Sequence, residues 1–293
     1  MSRFYKKFKH ILEYGLFIVF TRSLKLLGFK NSARLCSFLA RIIGPYLGVT
    51  KIARKNLSSI YKQRINIDAT IDELWDNFGR YIGEFPFIRD LSEAEIKQII
   101  TIEGLEKINY LKQRRQPFLM FLGHQANWDL VIRIISQIYP QMGVVYRKAN
   151  NPYVDKEILD TRAKDDSVYM IAKGSSGVRS LIKSIKSGHS ITMLVDQKMN
   201  DGIEVPFFGR PAMTANAIAK LALQYDYPLV GCQIVRTKES KFKVIIHPPL
   251  EVIKTGNMEK DSYNIMLQIN QLLEKWIRQH PGQWFWFHNR WKD

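Results

Sequence analysis

His124 and Asp129 form the pair in this chain whose residue types and spacing suit proton transfer. A carboxylate hydrogen-bonded to one imidazole nitrogen fixes the tautomer and strengthens the other nitrogen as a base. On a continuous helix, residues five apart face different ways, because neighbours lie three or four apart. A working pair at this spacing therefore needs a bend between its members, and the flanking residues supply one. Phe118-Leu119-Met120-Phe121-Leu122 is an apolar run that reads as a buried strand ending at Gly123. Asn127 is placed to cap a helix from Trp128 toward Tyr139, with Pro140 as its stop. His124 then falls in a strand-to-helix turn, and its ring can fold back to meet Asp129 in the first helical turn, where the helix dipole favours a carboxylate. The competing reading is a capped helix with an incidental histidine, and from these two residues alone it is the commoner outcome.

Positioning such a turn takes a sheet, and the rest of the chain describes one. Strands over Phe118–Leu122, Gly143–Tyr146, Val168–Ile171, Ser190–Val195 and Leu229–Val235 alternate with helices over Trp128–Tyr139, Tyr153–Lys164, Gly177–Lys186 and Thr214–Tyr225. A further strand, Lys243–His247, is joined to its predecessor through the polar turn Thr237–Ser240 as an antiparallel hairpin, and a long helix, Lys260–His280, follows. This pattern predicts an α/β fold with a mainly parallel mixed sheet flanked by helices. In such a sheet the carboxyl ends of the strands share one rim, where ligands collect. Tyr146 and Arg147 end one strand, Asp196 and Gln197 another, so all four belong on the rim that carries His124. Arg147 and Arg162 offer forked donors to phosphate, carboxylate or a developing oxyanion. Taken singly, each arginine is more often an exposed surface charge, and Asp196 is also placed to cap a strand. The stretch Asp201–Thr214 reads as a loop stiffened by Pro206 and Pro211, with Gly209 permitting a tight turn. Its adjacent Phe207 and Phe208, beside a basic rim, suit an acyl chain next to an anionic head. The alternative is burial of both rings against the sheet.

Ahead of this alternation lie helices over Asn56–Tyr61, Ile71–Ile82 and Ser92–Ile100, a short edge strand at Ile102-Glu103-Gly104 and a helix over Leu105–Arg114. Ser92 with Glu95 has capping-box spacing, and Asp68 or Thr70 is available to cap the preceding helix. The first residues, Met1–Lys9, are basic and aromatic. The apolar segment Ile11–Phe20 is interrupted by Glu13, and a second, Leu35–Leu47, carries Arg41. Both are short of the ~20 predominantly apolar residues of a transmembrane helix. No small-residue cleavage pattern follows, so a secretory signal fits poorly. Basic residues interleaved with Phe, Leu and Tyr suit helices lying in a membrane interface, with packing on the core as the alternative. The chain therefore divides into residues 1–50, amino-terminal basic and apolar membrane-associated helices, and residues 51–293, the α/β domain.

Forty-four Lys and Arg against 27 Asp and Glu give a net charge of +17, a field that attracts nucleic acid, anionic membrane or an acidic protein. Cys36 and Cys232 lie far apart, without the spacing of a metal site or a disulfide framework.

These features coincide in one family. The chain resembles the late acyltransferases of lipid A biosynthesis, the lauroyl/myristoyl type, within the lysophospholipid acyltransferase superfamily. The resemblance covers nearly the whole chain. It rests on the H-x-x-x-x-D motif at His124 and Asp129, Val145-Tyr146-Arg147 with Asn151-Pro152, Arg162, and Asp196-Gln197. Val205-Pro206-Phe207-Phe208-Gly209 with Ala212 and Thr214, and the aromatic and basic tail Trp284–Lys292, complete the set. The family often carries Glu where this chain has Asp129, and the amino terminus is less apolar than in members with a clear membrane anchor. The resemblance implies transfer of an acyl group from acyl carrier protein to a hydroxyl on a hydroxyacyl chain of a Kdo-bearing lipid A precursor, without metal or nucleotide cofactor, at the cytoplasmic face of the inner membrane. It makes His124 the general base, with Asp129 holding the ring. Tyr146, Arg147, Arg162, Asp196, Gln197, Phe207, Phe208 and Gly209 become substrate-site residues, Arg162 toward the headgroup or oxyanion and Asp196 toward the architecture of the site. The partners are then an acidic carrier protein, an anionic lipid and a membrane surface.

Three other readings stand against this one. An acyltransferase with a lysophospholipid or mannosyl glycolipid acceptor would share the motifs. A nucleic-acid-binding protein would share the charge, but no helix-turn-helix, zinc-finger or RNP signature is present, so no nucleic-acid partner is expected. A membrane-binding protein without catalysis would share the amino terminus.

Overall fold

The computed structural model describes residues 3–291 apart from 63, 140 and 164–167, and the architecture below is that of the described residues. Pro140, Lys164 and Lys292, where one helix stop, one helix end and the end of the tail were expected, lie outside them, as do Met1 and Ser2.

Four helices come first: α1 (Arg3–Leu27), α2 (Phe29–Ile43), α3 (Gly48–Tyr61) and α4 (Ile67–Glu84). Gly28 separates the first two at a φ of 77°, a backbone conformation that favours glycine. α4 is capped by Asn66, whose side chain accepts from the Ala69 N–H, and not by Asp68 or Thr70, which fall inside the helix. α2 lies tightly along α4 because the contact is made by small residues. A Cβ added to Gly79 would come 2.5 Å from the Cys36 carbonyl oxygen, so the backbones approach to a distance only glycine permits. Among the described residues no single helix is long and apolar enough to cross a membrane; only the bent run 29–61, broken by 82°, passes by length and composition.

α5 (Glu93–Ile99) starts from the expected capping box, Ser92 with Glu95. β1 (Ile100–Glu103) and α6 (Leu105–Gln113) lead to the alternating segment β2 (Leu119–Leu122), α7 (Trp128–Ile138), β3 (Met142–Tyr146), α8 (Pro152–Arg162), β4 (Val168–Ala172), α9 (Ser175–Lys186) and β5 (Ser190–Leu194). The stretch read as a stiff loop is instead a hairpin, β6 (Lys198–Phe207) and β7 (Arg210–Thr214), standing apart from the main sheet. Phe208 and Gly209 form its turn, both at positive φ, 54° and 69°. That is the turn geometry that closes a two-residue hairpin. Pro206 faces Pro211 across the ladder, which a two-stranded ribbon tolerates because each strand has an unpaired edge. The hairpin delays the next helix, so α10 begins at Ala217 rather than Thr214 (Ala217–Tyr225). β8 (Leu229–Lys238), β9 (Lys241–Pro249) and α11 (Met258–Gln279) complete the chain before the aromatic tail.

The main sheet has the order β1-β9-β8-β2-β5-β3-β4. Every neighbouring pair is parallel except the hairpin β8–β9. It is thus a mixed, mostly parallel seven-stranded sheet with helices on both faces. Successive side chains of β2 alternate between them. Leu119 and Phe121 join the core under α10 and α11, while Phe118, Met120 and Leu122 join the core under α5, α6 and α7. From β2 the chain first builds to one side, through β3, β4 and β5, and later to the other, through β8. The reversal leaves a crevice at the carboxyl ends of the central strands, where doubly wound sheets bind their ligands.

Candidate active site

Three adjacent strands, β2, β5 and β3, end at this crevice. His124 follows β2 by two residues, Asp196 follows β5 by two, and Tyr146 closes β3. The register that pairs Leu122 with Leu194 brings His124 and Asp196, 72 residues apart in the chain, opposite each other. Asp196 Oδ2 accepts the His124 backbone N–H at 2.7 Å, and Oδ1 lies 2.7 Å from His124 Nδ1. Trp284 Nε1 donates to the same carboxylate at 2.6 Å. Asp196 is wholly buried. Burial pushes its carboxyl up, but the His124 imidazole and backbone N–H, with His288 nearby, outweigh it and hold the group well below the usual carboxylate range. With Nδ1 engaged, Nε2 is the His124 nitrogen left for a substrate. Trp128 stands edge-on to the imidazole at 5.0 Å and limits its rotation.

The expectation that the ring meets Asp129 is therefore corrected. The turn between them is pinned by the tail: the Ala126 N–H donates to Gln283 O, Gln125 bridges to Trp284, and the Phe285 N–H donates to His124 O. Ala126 takes a φ of 48°, a left-handed conformation uncommon for a residue with a Cβ. So pinned, the turn sends the imidazole toward β5. Asp129 is buried against α4 and α8 instead. Arg162 Nε lies 2.8 Å from Asp129 Oδ1, and Tyr81 donates its hydroxyl to Oδ2 at 2.8 Å. Burial works against the Arg162 charge, but Asp129 and Tyr81 outweigh it and keep the guanidinium protonated. Asn127 also differs from expectation. It stands at the N-cap position of α7 without a capping bond, because its side chain donates to Glu84 at 2.9 Å. Glu84 is in turn buried against Arg236.

His124, Asp129, Tyr146, Arg147, Arg162 and Gln197 come together around one cleft of about 150 Å³. Trp128 and Lys173, which sequence reasoning passed over, line it too. Tyr146 reaches back to Asp155 at the start of α8. Asn151, the cap of α8, donates to His10 O and Glu13 of α1, so the first helix is tied to the wall of the cleft. Phe207, Phe208 and Gly209 are not among the lining residues. Both rings are buried in the tail's aromatic cluster, Phe207 5.8 Å from Trp284 and stacked on Trp291. Their path to the site is indirect, through Trp284 to Asp196. Behind the lining, Trp284 and Tyr81 are further site residues to which the sequence reading gave no role. Only the aromatic density of the tail hinted at the first, and nothing local marked the second.

A histidine aligned by a buried carboxylate, beside an anchored arginine at a sheet's carboxyl rim, can take up a proton next to an anionic group. The chain belongs to the bacterial lipid A biosynthesis acyltransferase family, whose model matches residues 1–293. It is 23% identical over 247 residues to the lipid A biosynthesis palmitoleoyltransferase of Escherichia coli (strain K12), covering 82% of this chain and 78% of that protein. A lipid A biosynthesis acyltransferase of Haemophilus influenzae is 25% identical over 249 residues, 82% of this chain and 76% of the relative. The lipid A biosynthesis lauroyltransferase of Escherichia coli (strain K12) is 24% identical over 204 residues, 68% and 64% of the two chains. The protein is an acyltransferase of lipid A biosynthesis.

Proposed function

We propose that the enzyme moves a fatty acyl chain from the thioester of acyl carrier protein to a hydroxyl on a hydroxyacyl chain of a Kdo-bearing lipid A precursor, with His124 as general base. The observation that carries this reading is the 2.7 Å contact between His124 Nδ1 and the buried Asp196 carboxylate at the mouth of the cleft. In the reaction the substrate hydroxyl gives its proton to His124 Nε2 as its oxygen attacks the thioester carbonyl. The imidazolium is stabilised by Asp196. Negative charge gathers on the carbonyl oxygen, where Arg147 and Lys173 supply the positive lining. The carbon–sulfur bond then breaks, the ester forms, and the thiolate takes the proton from His124. Asp129, with both oxygens held by Arg162 and Tyr81, acts as the anchor of Arg162. The guanidinium faces the cleft for an anionic part of the acceptor.

The enzyme works at the cytoplasmic face of the inner membrane in this proposal. Support comes from Phe8, Leu12, Leu16 and Val19, exposed apolar residues at helical spacing on α1, and from Phe38, Leu39, Ile42 and Ile43 on α2. An open apolar hollow of about 460 Å³ lies between these helices and Phe285 and Phe287 of the tail, a place for lipid chains beside the site.

The test is mass spectrometry of a Kdo-bearing tetra-acyl lipid A precursor incubated with the protein and a panel of acyl carrier protein thioesters. Gain of one acyl chain is expected with wild type and loss of that gain with folded His124→Ala. Equal gain from both would refute His124 as base, and no gain from any donor with folded wild type would refute the acceptor. A lysophospholipid offered in parallel separates the rival acceptor.

A further inference from the structure

α9 carries Arg179, Lys183 and Lys186 and no acidic residue. Their spacing, four and then three, puts all three on one helical face. All three are exposed. Some exposed cations elsewhere are tied to carboxylates, Lys25 to Asp90, Arg41 to Asp72 and Lys254 to Asp226. The three on α9 have no ion-pair partner among the described residues. A solvated face ordinarily mixes both signs, and an unneutralised one projects its field outward. Arg147, Lys148 and Lys173 continue the patch, exposed at the carboxyl ends of β3 and β4, so the positive strip runs from the cleft along the helix.

Beneath this face is an apolar pocket of about 180 Å³, walled by Gly177, Val178 and Leu181 of α9 together with Met193 and Ile218. It shares Val145, Lys173 and Leu194 with the His124 cleft, so the two are adjoining chambers. α9 packs on β4 and β5, whereas the apolar helix α1 packs on α2 and α8. The basic strip and the lipid-facing helices thus belong to different parts of the surface. An acyl chain can be delivered from the α9 side while the lipid occupies the other.

We propose that the basic face of α9, Arg179, Lys183 and Lys186, is the docking surface for the acidic carrier protein, which feeds its acyl chain into the pocket beneath that helix. This rests on the donor assigned under the proposed function. The charge complementarity sets encounter and binding, while the chemistry stays with His124.

The experiment uses the full chain and a triple variant, Arg179→Glu/Lys183→Glu/Lys186→Glu. Fluorescently labelled acyl carrier protein loaded with a lauroyl chain is titrated against each at low and raised salt. The variant should bind at least about tenfold more weakly, and wild-type binding should weaken with salt while the variant's does not. In the transfer assay KM for the carrier thioester should rise with kcat unchanged, and transfer from lauroyl pantetheine, which lacks the protein, should be unaltered. Equal carrier binding by the two proteins overturns the proposal. So does a variant that loses binding to phosphatidylglycerol vesicles while keeping carrier affinity, which would make the strip a lipid contact. If wild type binds carrier through α9 but transfers no acyl group to the lipid A precursor, the surface stands and the acceptor falls.

Discussion

The carboxylate that serves His124 comes from Asp196, whose charge is held against the cost of burial by the groups that engage it. Removing one donor should therefore be felt as a change of acidity more than of shape. Trp284→Phe keeps the ring but removes the N–H that reaches Asp196. A hydrogen bond to a charged group contributes ~1.5–3 kcal/mol, so the Asp196 pKa should rise by about one unit or more. The rise should be read directly from the carbon-13 carboxyl resonance of Asp196 followed in acid, with KM for the lipid little changed. Asp196→Asn should lower kcat by about 10²–10⁴ and leave lipid affinity in place; an unaltered kcat would return the orienting role to Asp129. His288 provides a second residue-scale readout. Burial pushes it down to about 4, with Asp196 opposing the shift. Between about pH 6.5 and about 4 the unfolded chain binds the extra proton and the folded one does not, so stability falls on acidification through that window. The loss approaches roughly 3 kcal/mol. His288→Asn retains a donor for Phe285 O and should flatten the dependence in thermal melts at stepped pH.

At the scale of elements, the sheet was legible because its strands are short apolar runs alternating with helical stretches, and β2 to β5 fall where the alternation put them. The partner of His124 was not legible. Neighbourhood in sequence favoured Asp129, whereas the contact with Asp196 depends on β5 lying beside β2, a fact of strand order rather than of local pattern. The hairpin β6–β7 was hidden by its prolines, which argue against strands in general but not in a two-stranded ribbon. Asn127 was drawn from its cap by Glu84, a residue on another helix. Packing of α2 on α4 yields a direct test. Gly79→Ala places a methyl against the Cys36 carbonyl and should force the helices apart, at about 1–3 kcal/mol. A lowered Tm and loosened α2, seen as faster hydrogen exchange there, would follow; an unchanged Tm would show the contact can relax freely.

For the molecule as a whole, exposed apolar residues gather on α1 and α2. α1 presents Leu12 and Leu16 outward, each more than half exposed. Leu12→Glu/Leu16→Glu should shift the protein from the pelleted to the soluble fraction when it is mixed with anionic vesicles, and should do so without lowering Tm. Retention on vesicles would place the membrane contact elsewhere.

The link between Asp196 and Trp284 spans 88 residues of chain. A ribosome adds about 5–20 residues per second, so on the order of ten seconds separates the synthesis of the two. For that interval the nascent protein has its histidine and strands β2 to β5, gains β8 and β9 only as it proceeds, and lacks throughout the segment that pins the His124 turn. The candidate site is thereby finished from the tail backward: a chain halted before Trp284 lacks both the pin on the His124 turn and the core positions of Trp284, Trp286 and Trp291.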